Sequence, residues 1–153
     1  MQLWRLAGAA HAHAFDGGYG LLYPGRWNSA GRAVTYCATS PSLCVLEKLV
    51  HVEDPALLPE LVMVRYEAPD DLSVERIDLA DLPSDWRSRE ALTQSLGDGW
   101  QAAGAAPVLQ VPSAIVPLAG SPDLNILLSH SHAAAAAIRI ADVVPFALDL
   151  RLL

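Results

Sequence analysis

Short apolar runs, broken by Pro, Gly and polar pairs, set the rhythm of this chain. Leu3 to Ala7 carries one Arg among apolar residues and predicts a strand. Residues 8–32 are rich in Gly, Ala, His and aromatics and predict a long extended loop, a kind of segment that usually serves function. Ala33 to Ala38 predicts a strand, with Val34 and Tyr36 on one face and Ala33, Thr35 and Cys37 on the other. Ser40-Pro41 then opens a helix, with Ser at the N-cap and Pro at the first helical position. That helix is expected to run to about Val52. Leu43, Val45, Leu46, Leu49, Val50 and Val52 cover more than half its circumference, which predicts a largely buried helix. The remaining polar wedge holds Glu47, Lys48 and His51.

Leu61 to Ala68 predicts a strand, and Ser73 to Leu79 a second strand or a loop. Ser88 to Ala103 has helical spacing, weakened by Gly97 and Gly99 at about 1 kcal/mol each relative to Ala. Pro107 to Val111 predicts a strand ending in Pro112-Ser113. Ala114 to Leu118 and Asn125 to Ser129 are short apolar pieces. Ala133 to Ile138 predicts one or two helical turns, and Val143 to Leu152 a closing strand. Strands and helices mix without a regular βαβ repeat, and no linker interrupts them. The expected fold class is α+β, in a single domain spanning residues 1–153.

Composition narrows the function classes. Of the 153 residues, 52% are hydrophobic, which argues against disorder and for a real core. No apolar run is long enough to cross a bilayer. The opening MQLWRLAGAAHAHAF lacks a basic region followed by an uninterrupted apolar one, so a cytoplasmic protein is expected. Cys37 and Cys44 do not make a disulfide framework and read as small buried residues. The net charge of −7 argues against non-specific nucleic-acid binding. Residues 1–35 nevertheless hold Arg5, Arg26 and Arg32 against a single acid, Asp16. That cationic island suits a small anionic ligand, or is simply a solvated face.

Usual dinucleotide and P-loop signatures are missing, as is GxSxG. His11/His13 and His130/His132 are His-x-His pairs without further ligands at fitting spacing, so no metal is expected. Arg26, Tyr36, Glu47 and Ser113 remain, on a loop, a strand, a helix and a strand end. An Arg can fork onto phosphate, a Tyr offers a ring face, and a Glu can stabilise developing positive charge. Ordinary surface and core roles are the alternative reading for all four. Trp4, Trp86 and Trp100 read as packing residues, whereas Trp27 lies inside the arginine loop. Asn125 reads either as lining a cleft or as a turn residue.

The segment GRWNSAGRAVTYCATSPSLCVLEKLVH closely resembles the signature of the RES-domain family, toxins of bacterial toxin–antitoxin pairs. LWRL, LPSDW, GDGWQAAGAAPVLQVPSAIVP, NILL and PFALDLRLL follow the same family pattern in order. The likeness covers nearly the whole chain. It implies a fold like the ADP-ribosyltransferase catalytic domain, with NAD⁺ held in a cleft of a bent or split, mainly antiparallel β-structure with flanking helices. It implies NAD⁺ as substrate, cleavage of the nicotinamide–ribose bond and growth arrest. The family's Arg, Tyr, Glu and Ser fall on Arg26, Tyr36, Glu47 and Ser113. An Xre-type antitoxin covering the cleft is also implied. The chain departs from the family at 129–134, where Ser-His-Ser-His-Ala-Ala replaces an Asn-Pro-x-His-Pro-Asp-like run and only His132 matches.

From this resemblance Arg26 is expected to hold the pyrophosphate, with Arg5 or Arg32, and Trp27 and Asn28 join the NAD⁺-binding set. Backbone N–H groups near Gly25 and Gly31 are expected to add an anion nest. Tyr36 would stack on nicotinamide, Glu47 would bind the ribose hydroxyls, and Ser113 would position ribose or the amide. Water, phosphate or a protein side chain could each accept the sugar. Glycohydrolase or phosphorylase chemistry ranks first and mono-ADP-ribosylation of a protein second. A non-catalytic binding partner is a third reading, resting on the altered 129–134 segment. The apolar surplus suggests surface covered by an antitoxin or by a second copy.

Overall fold

In the computed structural model, which describes residues 1–153, the strands are β1 (Gln2–Gly8), β2 (Val34–Ala38), β3 (Leu61–Glu67), β4 (Val74–Arg76), β5 (Val108–Pro112), β6 (Leu124–Ser129) and β7 (Arg139–Phe146). They form one sheet in the order β4-β5-β6-β2-β1-β3-β7. All neighbours are antiparallel except β4 and β5. Seven residue pairs join β1 to β3, but β1 meets β2 through Trp4 and Ala38 alone, so the sheet is split at that seam. The helices are α1 (Gly18–Leu22), α2 (Pro41–Leu49) and α3 (Glu90–Ala103). This is the α+β, mainly antiparallel class expected from the sequence.

Register sorts the side chains onto two faces, because opposed residues of an antiparallel pair project together. Leu3, Val64, Tyr66, Cys37, Ile126, Leu128 and Val108 fill one face with the largest apolar cluster. On the other, α2 covers Ala38 and Met63 with Leu43 and Cys44. Further along that face, Val34, Leu127, Leu109 and Val111 pack with Trp27, Trp86 and Trp100. Tyr36 and Asn125 lie on this second face, between the two clusters.

Local chemistry explains most boundaries. Ser40 Oγ accepts the Leu43 N–H at 3.2 Å, and Pro41 follows it, so α2 starts where expected. It ends at Leu49 rather than Val52, and it is not largely buried. Only Leu43 and Cys44 are buried, because α2 lies against one side of the sheet; Leu46 and Val50 are 38% and 60% exposed. In α3, a Cβ at Gly97 would stand 1.8 Å from the Trp27 carbonyl oxygen. The glycine that weakens the helix locally is what lets α3 press onto the loop backbone.

Other segments differ from expectation. Residues 8–32 hold α1 and a 3₁₀ turn at Ala9–His11. Asn125 to Ser129 lies in β6, paired on both sides by β2 and β5; Ile126 to Ser129 are buried and Asn125 is half-buried. The expected closing strand is shifted: β7 starts at Arg139, stops at Phe146, and Asp149 caps a 3₁₀ turn at Leu150–Leu152. Ala133–Ala137 is a 3₁₀ turn with His132 at its N-cap. No helix is long and apolar enough to cross a membrane.

Candidate active site

The arginine loop is built onto α3. Thr93 Oγ1 donates to the Arg26 carbonyl at 2.6 Å, and Gln94 Nε2 donates to the Gly25 carbonyl at 2.9 Å. The Asp98 carboxylate accepts both the backbone N–H and the hydroxyl of Ser29. From β2, Tyr36 Oη reaches the same loop. It donates to Asn28 Oδ1 at 2.7 Å and accepts the Trp27 N–H at 3.0 Å. A Cβ at Gly25 would lie 2.6 Å from that hydroxyl, so only glycine lets the loop close over it. Burial pushes the Tyr36 phenol well above its ordinary range, and the Trp27 N–H opposes this only in part. Tyr36 is therefore a neutral, fixed ring.

Arg26 has its guanidinium carbon 5.9 Å from the centroid of the Trp86 ring, and Nη1 donates to the Arg87 carbonyl at 3.0 Å. Arg32 Nε stands 3.4 Å from the Asp98 carboxylate, which ties it to the underside of the loop. Arg5 does not join this group. It lies on the opposite face of the sheet, where Nη1 donates to the Ala14 carbonyl at 2.9 Å and sits 3.5 Å from Tyr66 Oη. Trp27 is 1% exposed and Asn28 2% exposed. Both belong to the wall behind Tyr36 rather than to an open binding surface. The expected anion nest is also absent at Gly25 and Gly31, whose N–H groups donate to the carbonyls of Asn28 and Leu21.

Glu47 and Ser113 come together with a third residue. Glu47 Oε1 accepts from Asn125 Nδ2 at 2.7 Å, while Ser113 Oγ lies 3.5 Å away. Ser113 is fully buried, and its oxygen accepts the N–H groups of Ile115 and Val116 at 3.0 and 3.2 Å. That serine first shapes the turn after β5. Asn125 is opposite Ala38 in the register, two residues along β2 from Tyr36 on the same face. Two strand residues span roughly 7 Å. A neutral aromatic ring and a hydrogen-bonded carboxylate are thus neighbours on one platform, flanked by the loop that carries Arg26.

Of the two sequence readings of Asn125, cleft lining or a turn, the structure rejects the turn: the residue lies in β6 with its side chain on Glu47. Thr93 and Gln94, which anchor the loop, carried no signal in the sequence. In the divergent 129–134 segment, His130 Nε2 bonds Thr35 Oγ1 at 2.8 Å on the face away from Tyr36, and its ring meets Phe15 edge-on. His132 Nδ1 accepts the Ala134 N–H at 3.1 Å, a capping role. No three His, Cys, Asp or Glu side chains are grouped to hold a metal ion.

Known proteins share both the sequence and this architecture. The family model described as "RES domain" matches residues 2–149. A protein named "Toxin Res" from Photorhabdus laumondii subsp. laumondii is 36% identical over 155 residues, covering 99% of this chain and 97% of that protein. The "Prs ADP-ribosylating toxin" of Sphingobium sp. is 31% identical over 157 residues, covering 98% and 95%. Among solved structures, one described as the M. tuberculosis MbcT–MbcA toxin–antitoxin complex superposes with a TM-score of 0.73 at 17% identity, covering 95% of this chain and 83% of the matched one. That likeness extends the agreement in fold to a distant sequence. With the family pattern matched along almost its whole length, the chain belongs to the RES-domain family.

Proposed function

We propose that this protein is the toxin of a toxin–antitoxin pair and that it consumes NAD⁺ by cleaving the nicotinamide–ribose bond, with water or phosphate as acceptor. The observation that carries the reading is the adjacency of Tyr36 and the Glu47–Asn125 pair on one sheet face, beside the Arg26 loop. Each part answers a need of the reaction. Nicotinamide departs from NAD⁺ as a neutral molecule, and positive charge develops on the ribose. The Glu47 carboxylate stabilises that charge and accepts ribose hydroxyls. Electrostatic groups of this kind are worth about 3–4 kcal/mol in the transition state. Tyr36 stacks on the leaving ring. Its hydroxyl is fully engaged, so it supplies a surface and moves no proton. Arg26 turns from Trp86 and Arg87 to fork onto the pyrophosphate. Ser113 supports the reaction through the turn that it braces.

An antitoxin of the Xre type is proposed to cover this cleft. Beside the arginine loop, Tyr19, Leu22 and Tyr23 are 70%, 72% and 53% exposed, an apolar surface that a partner would shield. The solved relative is described as a toxin–antitoxin complex. Transfer of ADP-ribose to a protein is the second reading, favoured by the relative named as an ADP-ribosylating toxin. The two part company after the shared cationic sugar. Incubation with NAD⁺ labelled in the adenylate half, with and without phosphate and candidate proteins, distinguishes them. Label in a small sugar product supports degradation; label carried on protein supports transfer instead.

A further inference from the structure

We infer that Asn125 is a positioning residue for Glu47, holding one carboxylate oxygen so that the other addresses the sugar. This rests on the NAD⁺ reading above. Two polar side chains approach Glu47, those of Ser113 and Asn125, and the distances favour Asn125 as its partner. Ser113 Oγ donates toward Glu47 only at 3.5 Å, beyond the usual range of an O–H···O bond, while the N–H groups of Ile115 and Val116 that it accepts fix it in its own turn. Asn125 Nδ2 stands at 2.7 Å, and because a carboxylate only accepts, the carboxamide must turn its NH₂ toward it.

The two partners also differ in how their elements are held. Glu47 projects from α2, a helix covered on one side only, with Leu46 exposed. Asn125 projects from β6, whose backbone is paired on both sides, opposite Ala38 on β2 and Val111 on β5. The fixed element orients the freer one. Glu47 Oε2 has no partner within the protein. One oxygen is therefore committed to the scaffold and one is left for ligand, as pre-organised catalysis requires. A bond that merely stapled α2 to the sheet would stabilise the fold equally and leave turnover alone.

The test compares kcat and KM for NAD⁺ in the wild type, Asn125→Ala, Glu47→Gln and the double variant. Asn125→Ala is expected to lower kcat about 10- to 100-fold with KM changed less than about threefold. In the Glu47→Gln background, the same substitution should change kcat by less than about twofold, because its target is gone. Asn125→Asp should be as slow as Asn125→Ala at neutral pH and recover on acidification, when a proton shared by the two facing carboxyls restores a donor. An equal loss in both backgrounds, a loss confined to KM, or no acid recovery in Asn125→Asp overturns the inference. A readout independent of turnover is the side-chain amide resonance of Asn125. One of its protons should be shifted downfield in the wild type and relax in Glu47→Gln. Absence of that change overturns the contact itself. A wild type that shows the shift but never releases nicotinamide defeats the NAD⁺ reading instead, and the catalytic role falls with it.

Discussion

Tyr36 Oη donates to Asn28 Oδ1 at 2.7 Å, and the asparagine that receives it is 2% exposed. The carboxamide also donates to the Ser29 carbonyl at 3.0 Å and lies 3.4 Å from that of Tyr23. Asn28 thus ties the arginine loop to β2 through one side chain. Asn28→Ala leaves the phenol hydroxyl without its acceptor, at about 1–3 kcal/mol of stability. Tyr36→Phe strands Asn28 and the Trp27 N–H at similar cost but keeps the ring. Urea unfolding should register both losses. Turnover should survive Tyr36→Phe within about tenfold and fall much further in Tyr36→Ala, a contrast expected of a stacking surface and not of a proton donor.

Gly97 and Gly99, two residues apart in α3, should respond oppositely to alanine. A Cβ at Gly97 meets the Trp27 carbonyl oxygen at 1.8 Å, whereas one at Gly99 meets nothing within 4 Å. Gly97→Ala must push α3 off the loop, with a loss of about 1–3 kcal/mol and a weakened hold on NAD⁺. Gly99→Ala should stabilise by about 0.5–1 kcal/mol through helix propensity alone. Thermal melts of the two variants check the sign of each.

Arg26 and Arg5, two arginines of the N-terminal island, separate by location. Arg26→Ala should weaken NAD⁺ affinity measured by calorimetry about tenfold or more, and Arg26→Lys should restore little, lacking the planar fork. Arg5→Ala, on the far face, should leave that affinity within about twofold while lowering stability through its lost contact to Ala14.

Stability should fall on both sides of neutrality. Burial raises the thiols of Cys37 and Cys44, the latter to about 12 from an ordinary 9.0. Their contribution is full below pH 9.0 and is lost as pH climbs toward the folded-state values. Burial lowers His130 below its ordinary 6.5, with nearby Asp16 opposing. Its contribution is present above pH 6.5 and lost as pH drops through the folded value, because the unfolded chain takes up the proton first. Urea unfolding across pH should show a plateau near pH 7–9, and His130→Gln should flatten the acid limb.

Where local chemistry decided the outcome, the sequence was readable. Ser40-Pro41 placed the start of α2, and the alternation around Val34 and Tyr36 put those two residues on one face of β2. The family pattern drew Arg26, Tyr36, Glu47 and Ser113 into one set. What stayed hidden depended on contacts between distant residues. Asn125 gains its partner only when β6 lies between β2 and β5 and α2 folds over that face. Asn28 looked like a ligand-binding polar residue because nothing in the order of residues reveals that the Tyr36 hydroxyl buries it. Charge and the family pattern group Arg5 with Arg26 and Arg32, but alternation along β1 sends Arg5 to the other face. Apolar residues over more than half the circumference of α2 predict a largely buried helix, but the sheet covers only one side of it.

The central claim is that Glu47 stabilises a cationic sugar formed from NAD⁺. Its most direct test is the initial rate of nicotinamide release by the purified protein, wild type against Glu47→Gln, with NAD⁺ binding measured alongside. The account predicts release by the wild type, a fall of about 100- to 1000-fold in the variant, and NAD⁺ still bound. A variant that releases nicotinamide at the wild-type rate would contradict it.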